Sequence, residues 1–217
     1  MPRMGMGKST ALRQSSMGGM SSSRLEAFSD GVIAIIITIM VLELKVPHTA
    51  DLDALKPILP VFLSYVLSFI YVGLYWNNHH HMLYLVRHVS GGILWANLHM
   101  LFWLSLFPFA TGWMGENHFE SLPTALYGFV LMMCAIAYSI LHWSIVRRNG
   151  GRQSLLAVAV GGGYKEQLSV MLYAGGIVCA FFFRYVSLVF FVIVASLWLV
   201  PDRRIERAVA EQAGEER

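Results

Sequence analysis

Six apolar stretches recur along the chain, and each approaches the length of about 20 residues that a helix needs to cross a membrane. Hydrophobic residues occupy 56% of the 217 positions and charged residues only 13%, against about 25% charged residues in a soluble domain. This composition excludes a soluble domain with a single anchor. It predicts an all-α, polytopic membrane protein with six transmembrane helices. The predicted spans are 28–46, 58–78, 91–112, 122–146, 166–183 and 185–200.

Prolines and one arginine mark the less obvious ends of these spans. Pro57 and Pro60 lie at the start of the second span, where proline is tolerated in a helix. Pro201 ends the sixth span. Arg184 is almost the only interruption between the fifth and sixth spans, which are both short. The boundary between these two helices is therefore the least defined one in the sequence.

Basic residues are distributed unevenly between the two sides of the predicted membrane. All but Lys45, Lys56 and Arg184 of the 16 lysines and arginines fall on the side that holds both termini. The positive-inside rule then places both termini in the cytoplasm, in agreement with an even number of spans. This topology explains the modest basic character, so a nucleic-acid partner is not predicted.

The two ends of the chain are predicted to lie outside the membrane. Residues 1–23 are basic and rich in Ser, Gly and Met, without the apolar core or cleavage site of a signal peptide. We expect a disordered cytoplasmic tail there. Residues 24–200 are expected to form the membrane domain, and residues 201–217 a cytoplasmic C-terminal tail.

Charged and hydroxyl-bearing residues lie directly before the first apolar stretch. Arg24, Phe28, Ser29 and Asp30 fall within seven positions, immediately ahead of an Ile-rich helix. A helix cap would account for Ser29 or Asp30, but not for the whole cluster. Because ionisable groups at the membrane edge are candidates for function by default, this cluster is the first candidate site.

One face of the first helix has two interpretations. With 3.6 residues per turn, Gly31, Leu42 and Ile35 lie within about 60° of Thr38. Small residues and a lone threonine usually mark a helix-packing surface in membranes, and the pattern alone favours this interpretation. The alternative is the wall of a pore, in which apolar rings form a constriction with a hydroxyl ring between them.

Histidines and an asparagine form the third group of candidate residues. His79, His80 and His81 end the second span, and their side chains point in different directions around the helix, which does not suit a single metal ion. We expect His79 or His80 to bond across to the Arg24–Asp30 cluster, which lies on the same side of the membrane. Asn97 lies inside the third span and needs a polar partner. Because histidines and a buried asparagine can also carry protons or bind metal ions, a proton- or metal-coupled transporter remains the alternative function. The sequence shows no arrangement of catalytic residues that would indicate an enzyme.

The motifs together resemble one known family. The segment Arg24-x-x-x-Phe28-Ser29-Asp30 resembles the signature of the transmembrane protein 175 family, whose members are potassium-permeable channels of lysosomes and bacteria. Supporting motifs follow in the second and third spans, and the resemblance covers most of residues 24–200. They are Trp76-x-x-His79-His80, Asn97-Leu98 and Pro108-Phe109.

This resemblance implies a specific assembly. A chain with one six-helix unit resembles the bacterial members, which are homotetramers in the cell membrane with the first helix of each subunit around a central pore. By position, Ile35, Thr38 and Leu42 would form the constriction. Potassium ions would be the permeant species, no cofactor would be needed, and the absence of a dense carbonyl filter predicts only a weak preference for potassium over sodium. The implied structural or gating network comprises Arg24, Phe28, Ser29, Asp30, His79, His80 and Asn97.

Overall fold

The structure is a computed structural model that describes residues 21–84, 86, 89–148 and 163–199, and the ordered elements in these ranges are helices. The prediction of an all-α fold with six helical spans is confirmed, with α3 and α4 together forming the third span; in the described ranges the first four spans are long and apolar enough to cross a membrane, and the last two are shorter. Both predicted tails lie outside the described residues, except for the last three residues of the N-terminal one. The elements are α1 (Ser22–Leu42), a 3₁₀ helix (Leu52–Ile58), α2 (Leu59–Tyr84), α3 (Gly91–Ser105), α4 (Phe107–Glu116), α5 (Ser121–Arg148), α6 (Tyr164–Ala180) and α7 (Arg184–Leu199).

The first helix starts and ends earlier than its hydropathy predicts. Helix α1 begins at Ser22, six residues before the predicted start, and it ends at Leu42 rather than at residue 46. Hydropathy detects only the lipid-compatible part of a helix, whereas the backbone stays helical through the polar turns that precede it. At the other end, Pro47 disfavours the helical conformation at Val46, so the predicted end at residue 46 is not reached.

The third span is broken in the middle. Helix α3 ends at Ser105 and α4 begins at Phe107, so that Leu106 separates the two. Pro108 is the cause, because proline has no N–H to offer the carbonyl four residues earlier and its ring crowds that position. The sequence predicted one continuous span over 91–112, and the structure divides it into two helical segments over residues 91–116.

The fifth and sixth spans form a tight hairpin. Helices α6 and α7 have 17 and 16 residues, fewer than the four spans that precede them. Only residues 181–183 separate them, and Arg184 begins α7. Its guanidinium lies 2.5 Å from Oε1 of Glu120, the residue directly before α5. The boundary that the sequence left undefined is therefore fixed at Arg184.

Helix α5 is the centre of the protomer, and α1 lies at its edge. Helix α5 packs mainly on α3 and α6, whereas α1 packs on α2, α3 and α4. Aromatic side chains fill the core between α2, α5, α6 and α7, where the Tyr71 hydroxyl donates to the Phe191 carbonyl at 2.5 Å. A cluster of hydroxyls joins α2, α4 and α5, with Ser68 Oγ 2.7 Å from Thr111 Oγ1 and 3.0 Å from Tyr127 Oη. The position of α1 leaves one of its faces outside the core.

A close approach of two backbones fixes α4 against α2. A Cβ atom added at Gly115 would lie 2.6 Å from the Cα of Val61. We expect Gly115→Ala to lower the thermal unfolding midpoint, because the relief of this contact requires a backbone shift. Gly73→Ala on α2 is the matched control, since its Cβ would meet nothing within 4 Å in the described protomer and alanine favours a helix. The midpoints are measured in detergent by fluorescence-detected gel filtration after heating. Equal midpoints for the two variants would contradict the proposed clash.

Candidate functional site

Helix α1 has one buried face and one exposed face. The buried face packs on α2, α3 and α4 and consists of Leu25, Ser29, Ile33, Ile36 and Met40. The opposite face is open in the protomer. It consists of Arg24, Ala27, Phe28, Gly31, Ala34, Ile35, Thr38, Ile39, Val41 and Leu42.

A buried chain of hydrogen bonds fixes the inner face. The Asn97 amide nitrogen donates to Ser29 Oγ at 2.9 Å, and the Ser29 hydroxyl in turn donates to the Leu25 carbonyl at 2.9 Å. The Asn97 amide oxygen lies 2.8 Å from His79 Nε2. All three side chains that form this chain are fully buried. One network therefore joins α1, α2 and α3, and we call it the Ser29–Asn97–His79 network.

The directions of these bonds specify the histidine tautomer. Because the Asn97 amide nitrogen faces the Ser29 oxygen, its carbonyl oxygen faces His79 and accepts a proton from Nε2. His79 Nδ1 is buried and meets no hydrogen-bond partner among the residues that the structure describes. The geometry is thus that of a neutral imidazole that donates through Nε2.

A second row of contacts runs along the flank of the same helix pair. The Ser22 hydroxyl donates to the Leu83 carbonyl at 3.1 Å, Glu26 Oε1 lies 2.6 Å from His80 Nδ1, and Trp76 Nε1 donates to Asp30 Oδ1 at 3.0 Å. These partners are spaced by four residues on α1, which places them on one side of the helix. They fasten the first turns of α1 to the last turns of α2.

The structure brings together five of the seven residues predicted for the network and leaves two outside it. Ser29, Asn97 and His79 form the buried network, and Asp30 and His80 belong to the neighbouring row. Arg24 and Phe28 lie on the exposed face instead. The Arg24 side chain forms no hydrogen bond or ion pair within the described part of the chain, and Phe28 is 51% exposed.

Sequence reasoning missed two of the groups that pair in this row. Glu26 and Trp76 supply a carboxylate and an indole N–H to partners on the other helix. The spacing of Ser22, Glu26 and Asp30 at every fourth residue was the available signal. It indicates a polar stripe on α1, but it does not name the partners on α2.

The residues predicted for the constriction lie in a line on the exposed face. Ile35 is 58% exposed and Leu42 is 79% exposed in the protomer. Between them, the Thr38 hydroxyl donates to the Ile35 carbonyl of its own helix at 2.9 Å. Because this bond uses the only proton of the hydroxyl, the Thr38 oxygen presents lone pairs to whatever lies outside the helix. Such an oxygen suits a cation better than an anion.

Two further polar pairs lie outside the network and the row. His142 Nδ1 on α5 lies 2.7 Å from Glu166 Oε1 on α6, and both side chains are buried. In the loop that follows α1, Lys45 pairs with Glu116 of α4 at 2.6 Å, and both side chains are exposed. The hydrogen bond and charge of Glu116 raise the pKa of the Lys45 ammonium. Over the described ranges, no group of three His, Cys, Asp or Glu side chains is placed to hold a metal ion.

The Ser29–Asn97–His79 network generates a test by double substitution. Asn97→Ala leaves the His79 donor buried without an acceptor, a loss of about 1–3 kcal/mol in the free energy of unfolding. His79→Ala removes the same bond from the other side. We expect the double variant to lose clearly less than the sum of the two single losses, because both remove one interaction.

Thermal midpoints in detergent measure this coupling. Asn117→Ala, at an exposed asparagine whose amide bonds only its own helix, is the control and should leave the midpoint nearly unchanged. Strict additivity of Asn97→Ala and His79→Ala would show that the two side chains do not act as a unit.

Comparison with known proteins places this geometry in a family. The profile described as endosomal/lysosomal potassium channel TMEM175 matches residues 24–108, the segment that holds α1, α2, α3 and their network. A potassium channel of Chryseobacterium sp. (strain P1-3) is 55% identical over 192 residues, which cover 88% of this chain and 100% of that protein. A potassium channel of Streptomyces collinus is 34% identical over 134 residues, or 58% of this chain and 65% of that protein.

The fold and a more distant group of relatives agree with this placement. The crystal structure of a lysosomal potassium-selective channel TMEM175 homolog from Chamaesiphon minutus superposes with a TM-score of 0.70. The match covers 82% of this chain and 96% of that one at 24% identity. The human relative is named an endosomal/lysosomal proton channel, and it is 40% identical over 80 residues, 31% of this chain and 16% of that protein.

Proposed function

Because this chain belongs to the TMEM175 family of potassium channels, we propose that it conducts potassium ions passively through a pore whose wall is the exposed face of α1. One observation carries this proposal. The line of Ile35, Thr38 and Leu42 stays open in the protomer, although the opposite face of the same helix is fully packed. A closed ring of protomers would convert this face into the lining of a central channel.

The proposed assembly is a homotetramer in the cell membrane of a bacterium, with both termini in the cytoplasm. Closed rings of identical subunits are built by one interface that repeats around the axis. The two edges of the exposed face of α1 suit such an interface, since smaller side chains flank the line of Ile35, Thr38 and Leu42 on one side and larger apolar residues flank it on the other. The uneven distribution of basic residues supports the orientation. The small side consists of Ala27, Ala34 and Val41, and the large side of Phe28 and Ile39.

In this assembly the apolar pore residues would narrow the water column, and the threonine would coordinate the ion. Four copies of Ile35 and four of Leu42 would narrow the water column, and apolar rings of this kind gate by dewetting. Four Thr38 oxygens would replace part of the hydration shell of an ion, with lone pairs that the back-bond to Ile35 leaves free. One layer of hydroxyls supplies fewer dipoles than stacked carbonyl rings. We therefore propose only a weak preference for potassium over sodium.

The inner network has a supporting role in this proposal. Ion coordination needs the Thr38 ring to be held at a fixed radius, and α1 has no core on its pore side to hold it. The Ser29–Asn97–His79 network and the row from Ser22 to Asp30 would supply that fixation from behind. In the described protomer these histidines are engaged in bonds between helices, which favours support over proton or metal transport.

Purified protein in liposomes tests the function directly. A potassium gradient with a voltage-clamping ionophore should produce flux that grows with the gradient without saturation, as a passive conductance does. Saturable flux that depends on a second ion gradient would favour the coupled transporter instead. A pH-sensitive dye in the same liposomes tests whether protons also pass, because the human relative is named a proton channel.

The hydroxyl ring generates a selectivity prediction. Thr38→Ala removes the oxygen ligands, so the reversal potential in mixed potassium and sodium should move toward the value of an unselective pore. Ser196→Ala on α7 is the matched control, because its hydroxyl is also exposed and also bonds a carbonyl of its own helix. A reversal potential that stays unchanged in Thr38→Ala would argue against coordination by this residue.

The apolar rings generate a conductance prediction. Leu42→Ala and Ile35→Ala should each raise the single-channel conductance, since smaller side chains widen the constriction and keep it wet. Ile36→Val, on the buried face of α1, is the control and should leave conductance unchanged while it slightly lowers stability. Single-channel recording in symmetric potassium makes the comparison. Equal conductance in all three variants would place the constriction elsewhere.

A further inference from the structure

Arg24 lies on the exposed face of α1, in line with the proposed pore residues. Helix α1 begins at Ser22, so Arg24 is helical. A turn of 3.6 residues then places it about 40° from Thr38 and in the same direction as Leu42. The rise of about 1.5 Å per residue separates Arg24 from Leu42 by about 27 Å along the axis. Arg24 therefore ends the stripe at the opposite mouth.

The guanidinium of Arg24 is not neutralised inside the described protomer. The two acids closest to it in sequence are already engaged, Glu26 with His80 and Asp30 with Trp76. Arg24 itself is exposed, and none of the residues that the structure describes forms a hydrogen bond or ion pair with its side chain.

Local electrostatics do not account for an arginine at this position. The first turn of α1 holds no acidic residue, and a positive charge there opposes the helix dipole. Among the residues that the structure describes, the charge is thus paired neither with a carboxylate nor with the dipole, and in the proposed pore it can act on ions that pass the mouth.

We propose that four Arg24 side chains form a positively charged ring at the cytoplasmic mouth of the pore and make the channel inwardly rectifying. The inference rests on the proposed function. A ring of like charge lowers the local concentration of cations at that mouth, in the way that charged clefts change the local concentration of ions near a protein. Outward current, which draws its cations from that side, falls more than inward current. The ring acts on the rate of entry and leaves coordination to Thr38.

Ionic strength provides a built-in control. The screening length is about 30 Å at 0.01 M salt and about 3 Å at 1 M. A charge effect on the mouth should therefore be large in dilute symmetric potassium chloride and vanish in concentrated salt. A topological role of Arg24 under the positive-inside rule predicts no such dependence of the current shape.

Current–voltage curves of channels in planar bilayers test the ring. The ratio of inward to outward current at equal voltages should exceed unity in wild type and in Arg24→Lys at low salt. It should approach unity in Arg24→Gln and fall below unity in Arg24→Glu, while all four curves converge at 1 M. Arg148→Gln, at an exposed arginine of the same side at the end of α5, is the matched control and should keep the wild-type ratio.

Chemical modification changes the sign of the charge at position 24 after the channel has assembled. It therefore replaces a charge variant that fails to assemble. In Arg24→Cys, a negatively charged thiosulfonate added on the cytoplasmic side should raise the outward current, and a positively charged one should lower it. The same reagents on wild type control for Cys134 and Cys179. Superimposable low-salt curves for wild type, Arg24→Gln and Arg24→Glu in conducting channels would overturn the ring and leave the proposed function standing. A wild-type protein without potassium flux would overturn both.

Discussion

The rest of the structure depends on how α1 is held from one side only. In the proposed channel α1 has no core on its pore side, so the packing of its buried face alone must define its position and rotation. Here that task falls to a buried asparagine, whose amide joins Ser29 of α1 to His79 of α2. Hydrogen bonds between membrane helices are individually modest, about 0.6 kcal/mol on average in one well-studied protein. Their value lies in direction, because an amide with one donor side and one acceptor side accepts only one arrangement of its neighbours.

The two faces of α1 differ in what surrounds their side chains and in how their hydroxyl groups are satisfied. The buried face combines branched aliphatic side chains with one satisfied serine, which gives close packing without an unpaired hydroxyl. The open face carries a hydroxyl that is also satisfied internally, through the Ile35 carbonyl. That back-bond has a chemical consequence for the proposed pore. It uses the only hydrogen-bond donor of the Thr38 side chain and leaves the oxygen lone pairs free. The hydrogen bond that satisfies the hydroxyl in an apolar helix therefore also makes its oxygen a ligand for cations rather than anions.

The sequence predicted the helices well and the contacts only in part, for identifiable reasons. Hydropathy located all six spans because lipid imposes a length and a composition, yet it missed the break at Leu106, which depends on a single proline. The pattern predicted that a histidine would meet the cluster on α1, since both lie at the same end of the protomer. It did not predict Trp76 as the partner of Asp30 or the buried His142–Glu166 pair. Those partners depend on the rotation of α2, α5 and α6 about their axes, and helices that are apolar on every side carry little periodic signal for rotation.

Arg24 shows where the structure changes the interpretation of a motif. In the sequence, its proximity to Ser29 and Asp30 suggests one polar cluster with one purpose. On the helix, Ser29 lies about 140° from Arg24, and the structure buries the first and exposes the second. A motif that is continuous in sequence therefore divides between the two faces of α1. The buried residues determine where the helix lies, and the exposed arginine places a positive charge on its open face, at the cytoplasmic mouth of the proposed pore.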